Sequence, residues 1–247
     1  SVRTAASVRS LRPPAVQKGP MFLLDAMTPG APRDLILSAS DLVAAGECEF
    51  GLLRALDEKL GRLPKADHPI DPMLQRAGEL GGVHEARVLN SLVEQYGDWN
   101  PLTGSGVYRL THDRARSREG YAAQHGETLQ ALASGADVVF QAAFFDGQFV
   151  GYADFLVKQD DGRYAVWDTK LARHAKTSAL LQLAAYGDQL VAAGFEPAPE
   201  VVLVLGVSLG QSAVYSILSL LDEMTRPQQP IGQQTTSINT SVVPDRP

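Results

Sequence analysis

The sequence holds a single cysteine, Cys48, in 247 residues. One thiol cannot close an internal disulfide, and it excludes a four-cysteine zinc site and a four-cysteine iron–sulfur cluster. A reducing, cytoplasmic setting is the expectation. The five histidines, His68, His84, His112, His125 and His174, form no His-x-His or His-x3-His pair. Zinc is therefore not expected, and any metal should be held by carboxylates, as Mg2+ or Mn2+ would be. Long apolar runs are also missing. The longest, around Val201 to Leu205, falls far short of the roughly 20 residues that span a bilayer, so no membrane partner is expected. No stretch has the three-part layout of a secretory signal, and no internal repeat is present.

The net charge is −6. The first 33 residues carry Arg3, Arg9, Arg12, Lys18 and Arg33 against Asp25 alone, which leaves about −10 for the remainder. A chain of this balance is not expected to be coated in nucleic acid, although net charge averages over faces. Any such binding must come from a local basic strip or through bridging cations. Two strips are candidates: Lys170, Arg173, His174 and Lys176, and the trio Arg114, Arg116 and Arg118. Each also reads as a solvated loop.

Residues 1–33 are rich in Pro, Arg, Ser and Ala without a sustained period, and read as a disordered or foreign tail, with Met21 the candidate natural start. Residues 225–247 are Gln, Thr, Ser and Pro with few apolar side chains, and read as a second disordered tail. The domain between them is expected over residues 34–224. Ser38-Ala-Ser-Asp-Leu carries an N-cap signature. The helical run it opens, from Ser40, has Leu42, Val43, Leu52, Leu53, Leu56 and Leu60 spaced for one buried face, and Cys48 reads as a small core residue. Asp71-Pro72 predicts the start of a second helix that ends near Gly97, with Gly81-Gly82 marking close packing or a break. A short strand over 107–110 and a short helix over 127–133 follow. The strongest β signal comes next: strands over 138–145, 149–157 and 164–169, joined at Asp146-Gly147 and Asp160-Asp161-Gly162. A helix over 178–193 closing at Gly194 and a buried parallel strand over 201–205 complete an α/β sandwich around a mixed sheet.

Three residues of the meander carry the chemistry. Asp168 and Lys170, in Val-Trp-Asp-Thr-Lys, are two apart on a strand and share a face. Asp154, in Gly-Tyr-Ala-Asp-Phe, lies on the preceding strand, where a tight hairpin brings it opposite Asp168. Two carboxylates suit a hard divalent cation, which polarises a phosphate and acidifies a bound water. The lysine can orient or deprotonate that water, or balance charge at phosphorus. The Thr169 carbonyl is a further oxygen within reach. The bland alternative is a solvated Asp–Lys pair on an edge strand. Gln182 and Tyr186 are i and i+4 on the next helix, either beside this site or on an ordinary core margin. His84, in Gly-Gly-Val-His-Glu, is either a satisfied core histidine or a ligand.

Gly-Tyr-Ala-Asp, Asp-Thr-Lys and Gln-Leu-Ala-Ala-Tyr, together with Ser-Ala-Ser-Asp-Leu, Gly-Gly-Val-His-Glu and Asp137-Val-Val-Phe-Gln141, resemble the RecB-like branch of the PD-(D/E)XK nucleases. The likeness is to bacterial members often joined to a superfamily I helicase, and covers residues 36–206. The resemblance implies a restriction-endonuclease-like core and a Mg2+- or Mn2+-dependent DNA exonuclease of repair or recombination. His84, Asp154, Asp168 and the Thr169 carbonyl would bind the metal, Lys170 would be the catalytic lysine, and Gln182 with Tyr186 would position DNA. The iron–sulfur cluster of many relatives has no ligands here. A helicase in cis or in trans is the implied partner besides DNA. An RNA nuclease, or a non-catalytic DNA-binding module on the same fold, remains open beside this reading.

Overall fold

The chain's densest β-branched and aromatic stretch folds back on itself at Asp146-Gly147 and forms the centre of the sheet. The computed structural model describes residues 21–24, 33–65, 71–111, 116–172, 174–206 and 212–216. Strands β4 (Val138–Phe145) and β5 (Phe149–Lys158) pair antiparallel, and β6 (Tyr164–Lys170) pairs antiparallel with the second half of β5. Gly147 takes a φ of 97°, and Asp146 closes the turn by accepting the Gln148 and Phe149 N–H groups at 2.9 and 2.7 Å. Burial works against ionising Asp146, yet those hydrogen bonds and one from Gln189 hold its carboxyl below the usual range. β7 (Pro197–Leu205) runs parallel to β6, as a continuous apolar run buried on both faces should.

The sheet order is β3 (Val107–Arg109), β4, β5, β6, β7 and β8 (Ser212–Ser216). A ribbon of β1 (Phe22–Leu24) and β2 (Asp34–Ser38) joins β5 in parallel at its start, through Leu37↔Phe149 and Ser38↔Val150. Among the described residues there are five helices: α1 (Ala39–Glu47), α2 (Glu49–Lys59), α3 (Pro72–Tyr96), α4 (Arg118–Ala133) and α5 (Thr177–Ala192), of which α2 packs on α1 and the others on the sheet. On one face Val138, Phe155 and Val157 pack with Val88, Leu89, Leu92 and Val93 of α3. On the other, Val139, Leu156, Val166 and Leu203 pack with Leu183, Tyr186 and Leu190 of α5 and with Ala131 and Leu132 of α4. The chain is thus a mixed α/β protein whose mixed sheet is flanked by helices. No helix among the described residues is long and apolar enough to cross a membrane.

Several expectations need correction. Residues 22–24, read as part of a tail, form β1. Met21 and Leu24 are buried, and the Met21 N–H donates to Asp41 Oδ1 at 2.7 Å. The run from Ser40 is two helices, broken at Cys48. That residue is exposed and caps α2, its Sγ accepting the Gly51 N–H at 3.3 Å, so it is not a core residue. α2 buries no side chain, and Leu42, Leu53 and Leu60 are exposed, so the expected single buried face does not form. α3 continues unbroken through Gly81-Gly82, where a Cβ would meet nothing within 4 Å, so those glycines mark neither a break nor a close approach. The helix expected over 127–133 begins nine residues earlier, at Arg118. Arg114, Arg173, His68, His112 and the tail over 225–247 lie outside the described residues.

Candidate functional site

The β5–β6 ladder runs from Lys158↔Tyr164 to Phe155↔Trp167, and one step further Asp154 faces Asp168. There the ladder ends. The Thr169 N–H turns to the Asp154 side chain, donating to Oδ2 at 2.8 Å, and Thr169 Oγ1 donates to the same oxygen at 2.7 Å. β6 stays paired with β7 as far as Lys170↔Leu205, whereas the same edge of β5 passes to β2 at Phe149 and Val150. The carboxylates therefore sit at a fork in the sheet, where a carboxylate takes over the acceptor role the ladder drops. Asp154 is 8% exposed and Asp168 1%, so neither belongs to a solvated edge strand. Buried carboxylates need partners. Lys170 Nζ lies 2.6 Å from Asp168 Oδ2, and its side chain keeps 28% exposure toward solvent.

Lys170 opens onto a cavity of about 260 Å3 whose wall includes His174, Lys176 and Gln182. The Gln182 Nε2 donates to the Tyr186 hydroxyl at 3.0 Å, and both residues are buried. Burial pushes the Tyr186 phenol up, the Gln182 hydrogen bond opposes this, and the charges of Asp168 and Asp154 raise it further. The helix pair expected beside the carboxylates thus lies within their field. The ring lies against β5 because a glycine stands beneath it. A Cβ on Gly151 would come 2.5 Å from Tyr186 Cε1 and 2.9 Å from Phe149 Cε1. The sequence signal for that role is a glycine inside a strand pattern, three residues before Asp154.

His84 stands at the far end of the fork. It is buried, and its Nε2 donates to the Val204 carbonyl at 3.0 Å, Val204 being the β7 partner of Thr169. A carbonyl only accepts, so a neutral ring keeps Nδ1 as its acceptor nitrogen. The neighbouring Glu85 accepts a hydrogen bond from Gln141 Nε2 on β4. Gln141 has a φ of 56°, the one left-handed non-glycine among the described residues, and nothing in its residue type signals this. Among the described residues no three His, Cys, Asp or Glu side chains gather as a group that could hold a metal. The oxygen donors the structure does bring together are Asp154, Asp168 and the Thr169 peptide.

Of the basic strips, Lys170, His174 and Lys176 share the cavity. Arg118 is instead tied to Asp34 at the start of β2, and its guanidinium lies 5.9 Å from the centre of the Phe145 ring, which anchors α4 to the sheet. No protein-family model matches the chain, and no curated protein matches its sequence.

Proposed function

We propose that this chain is a metal-dependent nuclease that hydrolyses phosphodiester bonds, an exonuclease acting on DNA ends or single strands in repair or recombination. Its core would be restriction-endonuclease-like, of the RecB-like PD-(D/E)XK branch. The observation that carries this reading is the fork itself, where buried Asp154 and Asp168 face each other and Lys170 reaches Asp168 from the same strand. Asp154, Asp168 and the Thr169 carbonyl are hard oxygen donors, the set that suits Mg2+ or Mn2+. Thr169 engages Asp154 Oδ2, so Oδ1 is the oxygen that would meet the cation. These groups, with His84 through Nδ1, would hold the cation, which supplies Lewis-acid polarisation of the phosphate and a water of lowered pKa.

The remaining work belongs to the chain's own groups. Thr169 fixes the Asp154 carboxylate so that no reorganisation accompanies binding. Lys170, in the cavity wall, orients the attacking water or balances charge on the phosphoryl oxygens. Gln182, in the cavity wall and braced from behind by the buried Tyr186 hydroxyl, is the group against which the strand is placed. A helicase, in cis or in trans, is the partner this reading implies. The test is incubation with end-labelled single- and double-stranded DNA, and with RNA, in Mg2+, Mn2+ or EDTA, beside Asp168→Asn. Cleavage of DNA that needs the cation and Asp168 is expected. Cleavage of RNA alone would change the substrate, and tight DNA binding without turnover would make the chain a non-catalytic binding module.

A further inference from the structure

Gln141 lies opposite Asp154. The pairs Phe140↔Phe155 and Ala142↔Ala153 bracket the two, so Gln141, Asp154 and Asp168 form one row across three strands. The faces of β4 switch at this residue, as those of β5 do between Phe155 and Ala153. Val138 and Phe140 pack toward α3, whereas Ala142 and Phe144 pack with the α5 cluster, Phe144 stacking on Tyr186 at 6.2 Å. A φ of 56° by itself calls for glycine, which adopts it without strain. A glutamine there keeps the strain, and residues held so cluster at functional sites. Its carboxamide spans from β4 to α3 and donates to Glu85. Glu85 follows His84, whose Nε2 binds the Val204 carbonyl at 3.0 Å, so one turn of α3 is tied to the sheet on both sides of the carboxylate row.

We propose that Gln141 is a positioning residue of the candidate site: through its hydrogen bond to Glu85 it holds the His84–Glu85 turn of α3 against the Asp154–Asp168 row. The inference rests on the nuclease reading only for its turnover measurement. Three variants separate the backbone from the side chain: Gln141→Gly, Glu85→Ala, and the exchanged pair Glu85→Gln with Gln141→Glu, which rebuilds the bond with its donor reversed. Gln141→Gly should keep the wild-type melting temperature, because glycine takes the conformation freely. Amide hydrogen exchange over residues 81–88 should quicken in both single variants and return toward wild type in the exchanged pair. Turnover on end-labelled DNA should fall about ten-fold or more in the singles, as removal of a ligand-orienting partner does, and recover in the exchanged pair. Wild-type exchange and turnover in Gln141→Gly would overturn the proposal. So would an exchanged pair as impaired as the singles, which would make the charge at position 85 the essential feature. If exchange over 81–88 follows the expected pattern while no nucleic acid is cleaved by any form, positioning stands and the nuclease reading falls.

Discussion

Lys170 separates two roles that a static site merges. Its ammonium sits 2.6 Å from Asp168 Oδ2, so in the unliganded chain it is the counter-charge of a buried carboxylate. Lys170→Ala should reduce turnover by about a hundred-fold or more, the size of a lost acid–base or charge-stabilising group. Calorimetry with Mn2+ should show affinity unchanged or higher, because a competing positive charge has gone; a collapse of affinity would instead make the lysine part of the cation site. Tyr186 differs from its sequence reading in a way that changes the prediction. On a helix margin Tyr186→Phe would be silent. In the structure the residue is 2% exposed, and its hydroxyl accepts from a Gln182 that is 8% exposed. Removing the hydroxyl strands a buried amide, so denaturant unfolding should show a loss of about 1–3 kcal/mol. Gln182→Ala combined with Tyr186→Phe should cost less than the two single losses together, and additive losses would show that the two side chains act apart.

Elements whose pattern is set by apolar packing are legible in the sequence, and those held by polar contacts or by short pairings are not. β4 spans Val138–Phe145, and β5 and β6 depart from the sequence reading by one residue at their ends, because their faces are covered by helices on both sides. α4 has no apolar period. Its buried face includes Gln124 and Thr128, the latter accepting from the Ala143 N–H at 2.9 Å, so only its last turns show a helical signal. β1 and β2 are three and five residues long, too short for alternation to register. The element-scale prediction concerns Gly151. Gly151→Ala must displace Tyr186 or Phe149, and overpacking of this kind costs about 1–3 kcal/mol. Thermal unfolding should register that loss, and DNA cleavage should fall with it because the ring beside the carboxylates has moved. An alanine variant with wild-type melting and cleavage would show that the close approach is easily relaxed.

At the scale of the whole molecule, tyrosines set the response to alkali. Tyr164 is buried and donates to the Ala136 carbonyl at 2.7 Å, and burial first, then the charge of Asp137, pushes its pKa up to about 12. A phenol in the unfolded chain titrates near pH 10. Below about pH 10 both states hold the proton and the stabilisation is complete. Between about pH 10 and 12 the unfolded chain releases it and the folded chain does not, so stability falls as pH rises. Tyr186, also pushed up by burial, acts in the same direction. Denaturant midpoints taken from pH 9 to 12 should decline, and Tyr164→Phe should flatten the decline whatever its effect at neutral pH. An unchanged slope would mean that the phenol opens to solvent before global unfolding. On the nuclease reading, a chain of net charge −6 would draw nucleic acid through a local basic patch, and among the described residues the Lys170, His174 and Lys176 cavity is the candidate. Binding should then weaken steeply with salt, with a slope set by a few phosphate contacts.

The sequence by itself determined the meander, its turns and the face shared by Asp168 and Lys170, because strand alternation and glycine turn chemistry are local properties. It also placed Gln182 and Tyr186 on one helix face through their four-residue spacing. Only the tertiary structure decided that β5 and β6 part at Asp154, that the Thr169 N–H turns to a side chain there, and that Gly151 lets the Tyr186 ring in. It alone also decided that Gln141 takes a left-handed backbone opposite Asp154 and binds Glu85. These features depend on which segments meet across the sheet, on pairings between residues 13 to 56 positions apart that no local period encodes.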